Sequence, residues 1–373
     1  MERKLIHIVE SAARHPWFEE LVLKIKNTQI HQSVITIEPK GEIFKVLENE
    51  KILITGGIET FTFLKLCRAA YSVKKIDRMG KPSLVLAQGH MPSISALISK
   101  LVLDIDYGIV HHQSPIIFFD SFSARHPFRG TVHKYLYKNY IRRAKFIQAL
   151  SLEVSNSLVE LGYPKNQIIL LGHGIAMNSS KSSTNLALQK NRGADQEIKI
   201  LMVGRLSWEK NYSLAFKVIV EIVKKCPGLK VKIAGTGPDL ESLEEIRKEL
   251  NLEENVELLG WEKNIEKLMF EADILLHLSL TESYGQVLLE ACMCNLPVFT
   301  FPVGIALDLR KDHNPLIHIL SSRNQEEISE EILSFLKNKE NRLDSGTPQT
   351  LEHHTVDYIH GAMTAYLAHA CKK

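Results

Sequence analysis

Two doubly wound parallel α/β domains are the fold class this sequence predicts, on three observations. Its 373 residues exceed what one hydrophobic core ordinarily organises, so two domains are expected. Short apolar runs alternate with amphipathic stretches along the chain, the pattern of strands and crossover helices in a parallel sheet. A polar segment near the middle, Asn-Ser-Ser-Lys-Ser-Ser-Thr-Asn from 178 and Gln-Lys-Asn-Arg-Gly-Ala-Asp-Gln from 189, divides that alternation into two series.

In the first series the run 5–9 (Leu-Ile-His-Ile-Val) is too short for a signal-peptide core and reads as the first strand. Further strands are expected at 34–37, 52–55, 84–87, 108–111, 146–150 and 167–171, with helices at 18–26, 61–75 and 93–102 between them. The second series has strands at 199–203, 230–234, 256–259, 274–278, 298–301 and 316–320. Its helices are expected at 212–225, 240–250, 265–271, 286–293 and 325–337. The domains are then 1–177 and 198–350, joined by a linker at 178–197. An amphipathic tail, 351–373, is expected to close the chain as a helix packing back on the N-terminal domain. Two such sheets joined by a linker place the natural binding cleft between them.

A hydrophobic share of 45% with 24% charged residues is that of an ordinary soluble protein. No apolar run approaches the roughly 20 residues of a membrane helix. Five cysteines (67, 226, 292, 294 and 371) form no Cys-x-x-Cys and leave an odd count, which argues against a disulfide framework and for a reducing cytoplasm. The net charge of +3 hides an asymmetry: residues 1–180 hold 23 basic against 15 acidic residues, and the remainder 23 against 28. The excess peaks in 121–152, where Arg125, Arg129, Lys134, Lys138, Arg142, Arg143 and Lys145 are interleaved with aromatics and no acid. Two readings fit: a solvated helix face over an aromatic core side, or a surface for anionic lipid or an anionic acceptor, at the inner face of a cell membrane. No nucleic-acid recognition motif accompanies the charge.

The chemistry concentrates in the second series. Thr-Glu-Ser-Tyr-Gly-Gln-Val-Leu-Leu-Glu-Ala (281–291) follows a strand. It puts Glu282 near the strand's carboxyl end and Glu290 within the next helix, with Ser283, Tyr284 and Gly285 forming the turn. Carboxylates accept from hydroxyls and a helix start offers free N–H groups to an anion, so a polyhydroxylated phosphate ester suits the segment. Val-Gly-Arg-Leu-Ser-Trp-Glu-Lys-Asn (203–211) follows another strand and brings Arg205 and Lys210, a fork and a point charge suited to a diphosphate. Gly235 and Gly237, in Gly-Thr-Gly-Pro, are expected to admit a ligand close to backbone, but without a third glycine they are no dinucleotide fingerprint. His111 and His112 end a strand of the first half, where at most one faces a cleft. No His/Cys cluster has metal-ligand spacing, and no nucleophile elbow supports Ser-His-Asp catalysis.

Taken in order, these motifs resemble the retaining nucleotide-sugar glycosyltransferases of family 4 (group 1), which have the GT-B fold of two Rossmann-like domains facing across a cleft. The likeness rests on 203–205, 235–238, Leu259-Gly260-Trp261, Glu271-Ala272-Asp273-Ile274, Glu282, Glu290-Ala291 and Leu296-Pro297-Val298. Arg142-Arg143-Ala144, Ser151, Leu161-Gly162-Tyr163-Pro164 and His173-Gly174-Ile175 agree more loosely.

The resemblance implies that 198–350 is the donor domain and 1–177 the acceptor side. Arg205 and Lys210 would clamp the donor diphosphate, Glu290 the ribose hydroxyls, and Glu282 the transferred sugar. Backbone around Ser283, Tyr284, Gly285 and Gln286 would assist. Gly237, beside Gly235, would leave room for base or ribose, and Trp261 would frame the base. His112, with His111 second, would neighbour the sugar. The implied chemistry is retaining, with no protein nucleophile, metal or cofactor; a UDP-sugar is the first donor expected, and a saccharide or lipid-linked hydroxyl the acceptor.

Four segments depart from the family's pattern: 10–14 lacks a double glycine, His173 and Ala176 replace Asn and Asp, Trp208 replaces a proline, and 303–306 lacks Gly-Gly-x-Pro-Glu. They leave no role for Ser11 or Asp308. A catalytically silent nucleotide-sugar-binding subunit of a glycosylation complex is the alternative, and a dehydrogenase is disfavoured by the missing early glycine fingerprint.

Overall fold

The computed structural model describes residues 3–10, 16–26, 30–38, 42–50, 52–55, 62–77, 84–110, 135, 137–174, 197–337 and 349–370. The chain divides into two compact units, Met1–Gly174 with Val356–Lys373, and Ile175–Thr355.

The first unit is built on seven parallel strands: β1 (Arg3–Val9), β2 (Ile30–Thr36), β3 (Leu53–Thr55), β4 (Leu84–Gln88), β5 (Tyr107–Val110), β6 (Phe146–Ala149) and β7 (Ile168–Leu170). Their order across the sheet is β3-β2-β1-β4-β5-β6-β7. The central runs are apolar throughout because a parallel sheet is covered on both faces; Leu84, Val85, Leu86 and Ala87 of β4 are all fully buried. His7 of β1 is equally buried, with Nε2 3.0 Å from Gln32 Oε1. Burial, against the raising effect of that bond, pushes its imidazole down to about 4, so it is a neutral core residue.

Among the described residues of this unit, two helices are not expected from the sequence, and in the second unit Ala306–Lys311 is a third. Glu42–Asn49 is only eight residues long and follows a weak start, whereas Leu152–Glu160 begins at Ser151, whose Oγ accepts from Val154 N.

The chain's last helix, Val356–Ala370, completes this unit. Ile359, Met363 and Leu367 recur every four residues, so they share one helix face. That face joins Leu5, Leu21, Ile25, Leu84 and Phe146 in one apolar cluster. Each such buried side chain is worth about 1.5–3 kcal/mol. Tyr366 meets Phe146 edge-on at 4.9 Å, and Lys145 Nζ donates to Ala370 O at 3.2 Å. The short 3₁₀ segment Gln349–His354 stays with the second unit, so the expected 351–373 tail splits between residues 355 and 356.

The second unit has six parallel strands: β8 (Lys199–Val203), β9 (Lys230–Ala234), β10 (Val256–Gly260), β11 (Ile274–His277), β12 (Val298–Thr300) and β13 (Ile317–Ile319). Their order is β10-β9-β8-β11-β12-β13. Helices Tyr212–Lys225, Ile265–Glu271, Gln286–Met293 and Gln325–Lys337 stand where the sequence puts them. Their starts are sharply marked. Asn264 Oδ1 accepts from Lys267 N at 3.2 Å, and Asn324 Oδ1 from Glu326 N at 2.8 Å. In each sheet the chain order reverses between two neighbours, β1 and β4 in one, β8 and β11 in the other. Loops leaving the carboxyl ends of such a pair diverge and open a crevice.

The loops after β8 and β9 are laced together. Leu206 N donates to Thr236 O at 2.9 Å and Asp239 N to Leu206 O at 3.0 Å. A Cβ on Gly235 would stand 1.8 Å from Gly204 O, and one on Gly237 2.1 Å from Leu206 O. These glycines, expected to admit a ligand, are thus required first by the contact of one loop with another. Gly235→Ala is expected to destabilise the second unit by about 2 kcal/mol or more, since backbone must move to make room. A urea midpoint equal to wild type would show the contact to be dispensable.

Candidate active site

Lys210 and Glu282 come from the two loops that diverge at the reversal point of the second sheet. The strands beneath them, β8 and β11, are direct neighbours, pairing Ile200 with Ile274 and Leu201 with Leu275. After β8 the chain makes a 3₁₀ turn, Trp208–Lys210, ended by Asn211 in the left-handed region at φ 56°. Ser207 Oγ donates to Glu209 Oε1 at 2.6 Å, and Leu280 N donates to Glu209 O at 2.8 Å, so the two loops are tied by backbone as well.

Glu282 Oε1 is the meeting point. Lys210 Nζ forms an ion pair with it, and Ser279 Oγ donates to it at 3.1 Å. His277 Nε2 lies 2.9 Å from the same oxygen, near enough to act on its charge, yet without a fully formed hydrogen bond among the described residues. The lysine and glutamate side chains are only 17% and 13% exposed and the histidine 3%. Burial raises the Glu282 carboxyl, but the neighbouring His277 and Lys210 outweigh it and bring it down to about 2. Glu282 is therefore an anion at any working pH, and its other oxygen, Oε2, has no partner among the described residues. Tyr212 donates its hydroxyl to Gly204 O at 3.2 Å; burial first, and then the Glu282 charge, push its phenol up.

The turn carrying Glu282 is held from behind. Gly304, at φ 53°, packs so closely that a Cβ there would sit 2.6 Å from Tyr284 O and 2.8 Å from Glu282 Cβ. Ile305 N donates to Tyr284 O at 2.7 Å. Helix Gln286–Met293 then begins at Gly285, whose φ of 77° turns the chain into the helix. Glu290 lies one turn inside it, half-buried; burial raises its carboxyl, opposed by a hydrogen bond with Gln286.

The other expected residues divide by environment. Arg205 is exposed; its carbonyl accepts from Ser207 Oγ at 3.5 Å, and its guanidinium has no ion pair or hydrogen bond among the described residues. Trp261 is 72% exposed beyond β10, Ser283 is half-buried and Gln286 exposed, while Tyr284 and Gly285 are buried in the turn. His111 and His112 lie outside the described residues, as does 121–134 of the basic stretch. In the described remainder Tyr137 and Tyr140 are buried with rings 5.0 Å apart, while Lys138, Arg142 and Arg143 are exposed. That part is a solvated basic face over an aromatic core side.

His277, Ser279 and Tyr212 had no assigned role in the sequence. The available signal was a histidine ending an otherwise apolar strand, five residues before the glutamate.

A cavity of about 460 Å³ lies at the opposite, amino edge of β8–β10, lined by mixed charges including Lys199, Lys230, Lys232, Arg247, Glu257 and Glu271. Lys232 and Glu271 pair there at 3.1 Å, and the cavity brings together none of the site residues. The expected residues of this unit, Lys210, Glu282 and Arg205 among them, lie instead at the carboxyl edge.

Residues 184–347 match the family described as glycosyl transferases group 1. The gpi3 subunit of phosphatidylinositol N-acetylglucosaminyltransferase from Schizosaccharomyces pombe is 35% identical over 118 residues, 31% of this chain and 26% of that protein. N-acetyl-alpha-D-glucosaminyl L-malate synthase from Bacillus anthracis is 28% identical over 165 residues, covering 44% of this chain and 43% of its own. The chain spans about a quarter to a third of the length of the curated relatives it matches first. Among solved structures, Anabaena HepE in complex with UDP superposes with a TM-score of 0.76 at 17% identity, over 98% of this chain and 99% of that one. The chain has the GT-B fold, and its residues 184–347 are similar to the group 1 glycosyl transferases.

Proposed function

We propose that the chain moves a sugar, with retention, from a nucleotide-diphosphate sugar to a hydroxyl acceptor. The observation that carries the reading is the Lys210–Glu282 pair at the carboxyl edge of β8 and β11, with Arg205 exposed on the same loop. Lys210 has further N–H donors to offer a diphosphate, and Arg205 adds a second cation for the leaving group's charge. Glu282 Oε2 takes the hydroxyls of the transferred sugar, and Glu290 takes those of the ribose. No side chain is required to form a covalent intermediate; departure of the diphosphate and attack by the acceptor occur on one face of the sugar, so the protein positions and stabilises charge.

UDP-N-acetylglucosamine is the first donor to try. The two curated relatives are named for N-acetylglucosaminyl transfer or its product, and HepE was solved with UDP. The phosphatidylinositol in the yeast name supports a lipid-linked acceptor. No helix among the described residues is long and apolar enough to cross a membrane. The proposed location is accordingly peripheral, on the inner face of the cell membrane, with 121–152 against anionic lipid.

Thermal denaturation against UDP-, GDP- and ADP-sugars identifies the donor, because a bound ligand raises apparent stability by mass action. A shift with one nucleotide class and turnover of its sugar is expected. A shift without any hydrolysis or transfer would assign the chain to a catalytically silent nucleotide-sugar-binding subunit instead. Arg205→Ala and Lys210→Ala should each lower kcat/KM by about 100- to 1000-fold; unaltered turnover in both would remove the diphosphate clamp.

Nucleotide affinity should weaken on acidification. A raised Glu290 carboxyl takes up its proton at higher pH than an ordinary glutamate, and the neutral acid is a poorer acceptor for ribose hydroxyls. Calorimetric UDP titrations across pH should show that loss in wild type and a flat profile in Glu290→Gln.

A further inference from the structure

We propose that His277 is a positioning residue that takes hold of Glu282 Oε1 when Lys210 turns toward the donor diphosphate. The inference rests on the donor-site reading above and concerns what that site does as it fills. Oε1 faces Lys210, Ser279 and His277 at once, whereas none of these contacts is made by Oε2. One carboxylate oxygen is poorly placed to satisfy three donors at once, and His277 is the one left short: its Nε2 is buried and has no fully formed hydrogen bond among the described residues. A buried polar nitrogen without an aligned partner is costly, so the histidine gains whenever a competitor leaves.

The donor removes that competitor. A diphosphate carries more charge than a carboxylate and draws the Lys210 ammonium toward itself. Glu282 would then lose its strongest partner at the moment it has to accept from sugar hydroxyls through Oε2. His277 stands on the last residue of β11, in a strand paired on both sides, so its ring is fixed by the sheet and not by a loop. Ser279 remains the second donor. Between them they hold the carboxylate plane while Lys210 is engaged; a diphosphate alone draws Lys210 away, but only a ligand that also bears a sugar depends on where Oε2 is held.

The test compares His277→Leu, His277→Gln and Glu282→Gln with wild type, using UDP and the UDP-sugar that the wild-type protein turns over. His277→Leu should lower kcat by about 10- to 100-fold, the usual cost of a misplaced group. It should leave UDP affinity unchanged and abolish the extra affinity of the UDP-sugar over UDP. His277→Gln places an amide nitrogen close to the position of Nε2 and should restore most of the rate, which also answers a folding defect in the leucine variant. In the Glu282→Gln background His277→Leu should add nothing. Turnover in His277→Leu equal to wild type, or effects of the two substitutions that simply add, would overturn the proposal and leave the donor-site reading standing. Absence of nucleotide-sugar binding by the wild-type protein would overturn the reading, and the proposal with it.

Discussion

Glu282 Oε1 is the point on which the carboxyl edge of the second unit is organised. It lies where two neighbouring parallel strands send their loops apart, and Lys210 from one loop meets it from the other. A carboxylate so little exposed is unfavourable unless charge and donors surround it. The surrounding structure supplies them: the lysine, a serine hydroxyl and the imidazole of a strand residue. Because the loops are also joined through Leu280 N and Glu209 O, moving the carboxylate means moving both loops. Among the described residues the same arrangement leaves Oε2 without a partner, so the anion is both anchored and available.

Most of the backbone that positions this pair was legible in the sequence. The runs of 199–203, 230–234 and 274–278 are short and rich in Val, Ile and Leu, and the helices after them follow Asn211, Asp239 and Gly285, residue types that favour helix starts, so their ends agree with the structure closely. The first half was less legible. Helix Glu42–Asn49 is short and helix Leu152–Glu160 follows a strand with almost no loop, so neither stands out against its neighbours. The tail's division at 355 and 356 was hidden for another reason: a 3₁₀ turn and an amphipathic helix are continuous in sequence and separate only by what they pack against.

Side-chain partnership was the least legible feature. Arg205, Lys210, Glu282 and Glu290 were found by type and order, but nothing in that order says that three donors converge on one oxygen of Glu282. Gly235 and Gly237 illustrate the limit from the other side. Their glycine identity is visible, yet its immediate cause is the adjoining loop at 204–206. Gly304 is similar: the missing Gly-Gly-x-Pro-Glu pattern marked 303–306 as divergent, and the structure gives Gly304 a packing task behind Glu282.

The most direct test of this account is a crystal structure with the UDP-sugar, or with UDP and sugar together. The account predicts the diphosphate beside Arg205 and Lys210, the ribose on Glu290 and a sugar hydroxyl on Glu282 Oε2, all at the carboxyl edge of the second sheet. Nucleotide bound instead in the charged cavity at the amino ends of β8–β10, or with Glu282 still fully paired to Lys210 and untouched by sugar, would contradict it.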